Sequence, residues 1–111
     1  MIFVLVFNLV PFEYGSLQLI TKLGESIREA MAEVIPAVDR GEETVVCSFS
    51  GYFSPKIQRI PVLIRIEGIP NNLEIKGDLK KKVKDAFQAA FREVFPTLIR
   101  DADVLIYKLE R

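Results

Sequence analysis

The 111-residue chain contains no histidine, a single cysteine and no net formal charge, since 15 lysines and arginines balance 15 aspartates and glutamates. Each absence closes a line of chemistry. Histidine is the commonest general base near neutral pH and the commonest metal ligand, so Ser-His and Cys-His nucleophilic arrangements and histidine-based zinc sites are excluded. Cys47 has no second cysteine to pair with, and its place in an apolar run reads as a small buried side chain in a reducing, cytoplasmic setting. A balanced charge and a sequence pI of about 6.3 supply no field for nucleic acid or an anionic membrane. No motif calls for a cofactor or a metal.

A membrane-length apolar run is also missing. The first ten residues are almost wholly apolar, but Pro11 and Glu13 stop the run well short of the roughly 20 residues a bilayer span needs. No basic residue precedes it, so it reads as a strand and not as a signal peptide or anchor.

What is present is apolar surface. Hydrophobic residues make up 50% of the chain and the mean hydropathy is +0.23, high for a small monomer with its large surface-to-volume ratio. Some of that surface is expected to meet another subunit. The length suits one domain, residues 1–111.

Residues 1–10, rich in β-branched and aromatic types with only Asn8 polar, have the composition of a strand buried on both faces. Ser16 is a helix cap, and Ile20, Leu23, Ile27, Met31 and Val34 step by three or four along a helix over 16–35 that Pro36 ends. A polar loop over 39–43 leads into a second strand over 44–49. The connector 50–56 carries two adjacent aromatics, Tyr52 and Phe53, expected to pack against the body of the protein. A third strand runs from Ile57 through Glu67, with Pro61 tolerable near its start, and Gly68 and Pro70 break it. Asp78 caps a second helix with a stripe of Leu79, Val83, Phe87, Ala90, Phe91 and Val94, limited by Pro96. Residues 103–109 form the last strand.

The halves resemble each other. Val4-Leu5-Val6 answers Val62-Leu63-Ile64, Val34-Ile35-Pro36 answers Val94-Phe95-Pro96, and Val45-Val46 answers Val104-Leu105, at offsets of about 58 to 60 residues. The reading is an α+β fold of tandem duplicated β-α-β units, pseudo-repeats 1–50 and 57–111, forming a four-stranded sheet with two helices on one face. The other face then lacks a cover, which a second subunit must supply.

Two such units, with a strand at the very N-terminus, resemble the tautomerase superfamily, including the migration-inhibitory-factor and muconate-isomerase types. Phe3-Val4 running to Asn8-Leu9-Val10-Pro11 is similar to the start of the first type. Val62-Leu63-Ile64-Arg65-Ile66-Glu67-Gly68 is similar to the third strand of the second. The resemblance implies a homotrimer whose sheets enclose a central barrel, with sites between subunits and proton transfer by an N-terminal proline. The chain departs there: residue 1 is methionine, and the bulk of Ile2 hinders its removal. The base the resemblance leaves is the Met1 α-amine, whose reference pKa lies near neutrality. It also places Arg40, in the loop after the first helix, where the family binds an anionic substrate, with a solvated arginine beside Asp39 and Glu42 as the competing reading. On the last strand Leu105 breaks the family's aromatic position, and Tyr107 keeps a hydroxyl for a pocket or an interface.

Three further groups have structural readings. Lys80, Lys81, Lys82 and Lys84 crowd a helix N-terminus, where the macrodipole disfavours them, as a solvated face or an anion site. Arg65 and Glu67 share one side of the third strand and are expected to pair across strands or subunits. Glu25, Glu29 and Glu33 form a solvent face.

Two functions stand against each other. One is an oligomeric tautomerase-like isomerase moving a proton on a small carbonyl acid without the usual proline. The other is a non-catalytic self-assembly or ligand-binding module, tautomerase-like with parallel βαβ neighbours or ferredoxin-like with an antiparallel sheet. Missing histidine, proline-1 and paired buried acids weigh against classical tautomerase activity.

Overall fold

Period-two alternation along the strands and three-to-four spacing along the helices sort the apolar residues onto one shared core. The computed structural model describes residues 1–51 and 60–109. Its elements are β1 (Ile2–Leu9), α1 (Pro11–Tyr14), α2 (Leu17–Val34), α3 (Pro36–Asp39), β2 (Val45–Gly51), β3 (Val62–Pro70), α4 (Leu79–Val94) and β4 (Ala102–Leu109). The expected packing of Tyr52 and Phe53, and the expected start of the third strand at Ile57, lie outside the described residues.

The sheet runs β2-β1-β3-β4, with β1 parallel to β2, β3 parallel to β4, and β1 antiparallel to β3. Each βαβ unit therefore keeps its two strands as parallel neighbours. The antiparallel, ferredoxin-like alternative does not describe this sheet.

Ile2, Val4, Val6 and Leu9 of β1 and Val62, Ile64, Ile66 and Ile69 of β3 are fully buried, facing Leu19, Leu23, Ile27 and Met31 of α2 and Leu79, Val83, Phe87 and Phe91 of α4. Burying a side chain of this kind contributes about 1.5–3 kcal/mol, so this layer dominates folding. Ser16 Oγ accepts from Leu19 N at 3.2 Å, and Asp78 Oδ1 accepts from Lys81 N at 3.1 Å. Each satisfies a backbone donor that the helix itself leaves open.

Asn8 and Gly68 occupy equivalent places in the two halves, and both have positive φ, 71° and 84°. Strand pairing slips at each: between Val6 and Leu9 in β1, and between Glu67 and Ile69 in β3. A bulge changes which face the following residue meets, and this is why Leu9 and Ile69 point inward although the preceding core positions are even-numbered. Gly68 therefore does not break the third strand as expected. The strand bends and continues, pairing Pro70 with Leu109.

Two other expectations shift. Pro11 and Pro36 not only stop an element but open one, as the N1 residues of α1 and α3, where the missing N–H costs nothing. In the second half, Val62 pairs with Ala102 as Ile2 pairs with Val45. The partner of Val45 in the repeat is thus Ala102, two positions before the expected Val104, because the second crossover is shorter.

Candidate functional site

The outer face of the sheet, opposite the helices, is open in a single chain. Register sets its rows: Val46, Phe3, Glu67 and Tyr107 in one, Ser48, Leu5, Arg65 and Leu105 in the next, then Phe7, Leu63 and Asp103. Phe3 is 42% exposed, Leu105 39% and Tyr107 48%, with Leu5, Phe7 and Leu63 half-buried. The first strand is thus buried on one face by its own helices and only partly covered on the other.

At the centre of this apolar face sits a polar cluster. Arg65 Nη2 donates to Glu67 Oε1 at 2.5 Å, and the guanidinium carbon lies 4.9 Å from the Tyr107 ring centroid. Within the single chain Arg65 and Glu67 pair with each other along β3, not with a charge on a neighbouring strand. Tyr107 provides a ring to that cation. The Arg65 Nε is buried without an acceptor among the described residues.

Met1 stands at the edge of this face. Its α-ammonium donates to Glu43, and Ile2 N donates to Thr44 O at 2.8 Å. A Cβ on Gly68 would lie 2.8 Å from the Met1 carbonyl oxygen, so the glycine lets the chain start pack against β3. Glu43 is brought there by the turn after α3, where Glu42 N and Glu43 N both donate to Ala37 O and Gly41 takes φ 75°. Arg40 turns the other way. Its Nε and Nη2 donate to the two Glu42 oxygens, each at 2.9 Å, which holds the Glu42 carboxyl below its ordinary range and the guanidinium above its own. The structure thus brings the 39–43 turn to Met1, but among the described residues no hydrogen bond or ion pair joins Met1, Arg40 and Tyr107.

The lysine cluster at the start of α4 has a partial partner: Lys82 Nζ lies 2.9 Å from Glu33 of α2, which raises the lysine above its usual range. Glu33 therefore belongs to an inter-helix pair as well as to a solvent face.

A cavity of about 440 Å³ opens at the opposite end of β1, lined by Val10, Phe12, Glu13, Pro61, Leu98 and Arg100 among others. Glu13 is 1% exposed; its Oε1 accepts from Val10 N at 2.8 Å and its Oε2 from Arg100 Nε at 3.0 Å. Arg100 also donates to Asn8 O and Ile60 O. The sequence reading missed this pair. Glu13 at the third position of a helix opened by Pro11 carries a capping signal, whereas Arg100, 87 residues away, carries none.

The repeat also places Pro61 where Met1 stands in the first half, since Val62 N donates to Asp101 O as Ile2 N does to Thr44 O. Pro61 is internal, its nitrogen locked in a peptide bond. The chain has a proline at the repeated position but no proline amine there.

No protein-family model and no curated protein matches the sequence. Among solved structures, the chain is similar to "Q0 fused 4-OT wild type symmetric trimer" at a TM-score of 0.63 and 14% identity, over 96% of this chain and 85% of that one. It is also similar to "Crystal Structure of Native Fused 4-OT" at a TM-score of 0.57 and 12% identity, over 96% of this chain and 86% of the other. At these identities the likeness concerns the fold alone: this chain has a tautomerase-like fold, shared with those fused 4-OT structures.

Proposed function

We propose that this chain is a homotrimeric tautomerase-fold domain, acting through assembly without proline-dependent tautomerisation. The observation that carries the reading is the open outer face, where Phe3, Leu5, Phe7 and Leu63 lie together on β1 and β3, and Leu105 and Tyr107 of β4 stand on the far side of the Arg65–Glu67 pair. A surface of that kind marks an interaction site or an aggregation hazard. Among the described residues, the edge strands β2 and β4 also offer unpaired backbone. The symmetric trimer named for the similar structure supports three copies as the number that closes. The lone cysteine supports a reducing, cytoplasmic setting, and the balanced charge supports neither nucleic acid nor membrane as partner. The test is Leu5→Glu, which puts a charge in the middle of the face. It should yield a folded monomer by sedimentation velocity; a trimer of unchanged stability would refute the assignment of this face.

A second reading has one observation in its favour. Glu43 gathers the Met1 α-ammonium at the edge of the same face, with Arg40 in the same turn. In that reading the Met1 amine moves a proton on a small carbonyl acid, and Arg40 leaves Glu42 to hold the substrate's carboxylate while Tyr107 lines the pocket. Intact mass establishes whether Met1 is retained. Keto-enol turnover that vanishes on N-terminal acetylation supports the reading; no turnover above background, or turnover indifferent to acetylation, removes it.

A further inference from the structure

We propose that the cavity at the end of β1 binds a small organic ammonium ion with an apolar body, its charge meeting Asp101 while its body lies against Phe12 and Leu98. The residues lining this cavity belong to none of the outer-face rows, so the site stands apart from the assembly reading. Its volume of about 440 Å³ suits a small ligand, and such clefts pair apolar walls with a few polar groups that fix orientation.

The walls are apolar and turned to water. Phe12 and Leu98 are exposed and Ile99 is almost fully so, at 97%, and all three line the cavity together with Pro61. One exposed apolar side chain is ordinary, whereas several converging on one cleft form a patch of the kind a ligand covers. The Phe12 ring is held in place by Phe95, centroids 5.4 Å apart and planes at 87°, and Phe95 in turn packs on the buried Phe91. The aromatic wall is therefore set before a ligand arrives.

The charges decide which ligand fits. Arg100 would suit an anion, but each of its three guanidinium nitrogens already donates: Nε to Glu13, Nη1 to Ile60 O and Nη2 to Asn8 O. An anion that drew the arginine away would strand the Glu13 carboxylate in its buried place, a costly exchange. Glu13, 1% exposed, is covered by the chain itself and cancels the Arg100 charge without meeting a ligand. Asp101 remains. It lines the same cavity, is exposed, and its carboxylate has no hydrogen bond or ion pair among the described residues. The cleft thus offers one uncommitted negative charge beside an aromatic ring. An ammonium ion is attracted to both, to the carboxylate by charge and to the ring face by its quadrupole. Apolar contact then supplies most of the affinity, and Asp101 sets the sign of the charge accepted.

The experiment titrates the full-length chain, followed by amide NMR, with 2-phenylethylammonium and with 3-phenylpropionate, which share a ring and a two-carbon spacer and differ in charge. The ammonium is expected to shift the Phe12, Leu98 and Ile99 amides saturably, with a dissociation constant about fivefold below that of the anion, the upper end for one exposed ion pair. Asp101→Asn should abolish that preference with an unchanged thermal midpoint, while Asp103→Asn, on the outer face, should keep it. Equal or tighter binding of 3-phenylpropionate, a preference that survives Asp101→Asn, or the absence of saturable shifts at these amides with either probe overturns the site.

Discussion

Arg100 reaches across 87 residues of chain to place its Nε 3.0 Å from Glu13 Oε2, and its other nitrogens hold the carbonyls of Asn8 and Ile60. One side chain therefore ties the end of β1, the turn of α1, the entry to β3 and the run into β4. Glu13 is 1% exposed and the Arg100 side chain 13%. Removing one partner of such a pair strands the other, at about 3–5 kcal/mol. Both Glu13→Gln and Arg100→Met should show this loss in urea unfolding, and the double variant should lose less than the sum of the two. Additive losses would mean that the residues act independently.

The paired bulges give a second expectation. At Gly68 a Cβ would meet the Met1 carbonyl and the backbone would be held at φ 84°. Gly68→Ala should cost about 1–3 kcal/mol, the usual scale for a strained backbone position. Asn8→Gly should be much milder, because glycine adopts the observed φ of 71° freely and loses only the 3.3 Å bond from Asn8 Nδ2 to Pro61 O. Equal losses from the two, measured by thermal unfolding, would contradict the strain argument.

Cys47 supplies the pH dependence. Burial raises its thiol above the ordinary value of 9.0, with a smaller opposing pull from Arg28. The folded thiol therefore keeps its proton after the unfolded one has lost it. Stability from this group is fully present below the unfolded thiol's 9.0 and declines as pH rises beyond it, a decline that Cys47→Ala should remove. Alkylation at pH 8.5 should be slower in the native protein than in urea. Equal rates would show that burial does not protect the thiol.

Much of this fold is legible in the residues because its signals are local. The stripes of α2 and α4, the Ser16 and Asp78 caps, and the stops at Pro36 and Pro96 all follow from short-range spacing. The repeat adds the tandem βαβ order, and the excess of apolar residues on β1 foretells an uncovered face. Strand order needed the structure, since hydrophobic pattern does not distinguish a parallel neighbour from an antiparallel one. The Gly68 bulge read as a break because glycine serves both. Glu13 with Arg100, and Arg65 turned onto its own strand neighbour and Tyr107, depend on side chains meeting in space, for which spacing carries no signal. Met1, Arg40 and Tyr107 came from the family likeness, and the structure gives each its own partner: Glu43, Glu42 and Arg65.

The central claim is that the open outer face closes on copies of itself. Multi-angle light scattering on the eluting wild-type protein at micromolar concentration tests it most directly. The account predicts a mass three times the 12.6 kDa of the chain, falling to a single chain in Leu5→Glu. A wild-type mass of 12.6 kDa at those concentrations would contradict it.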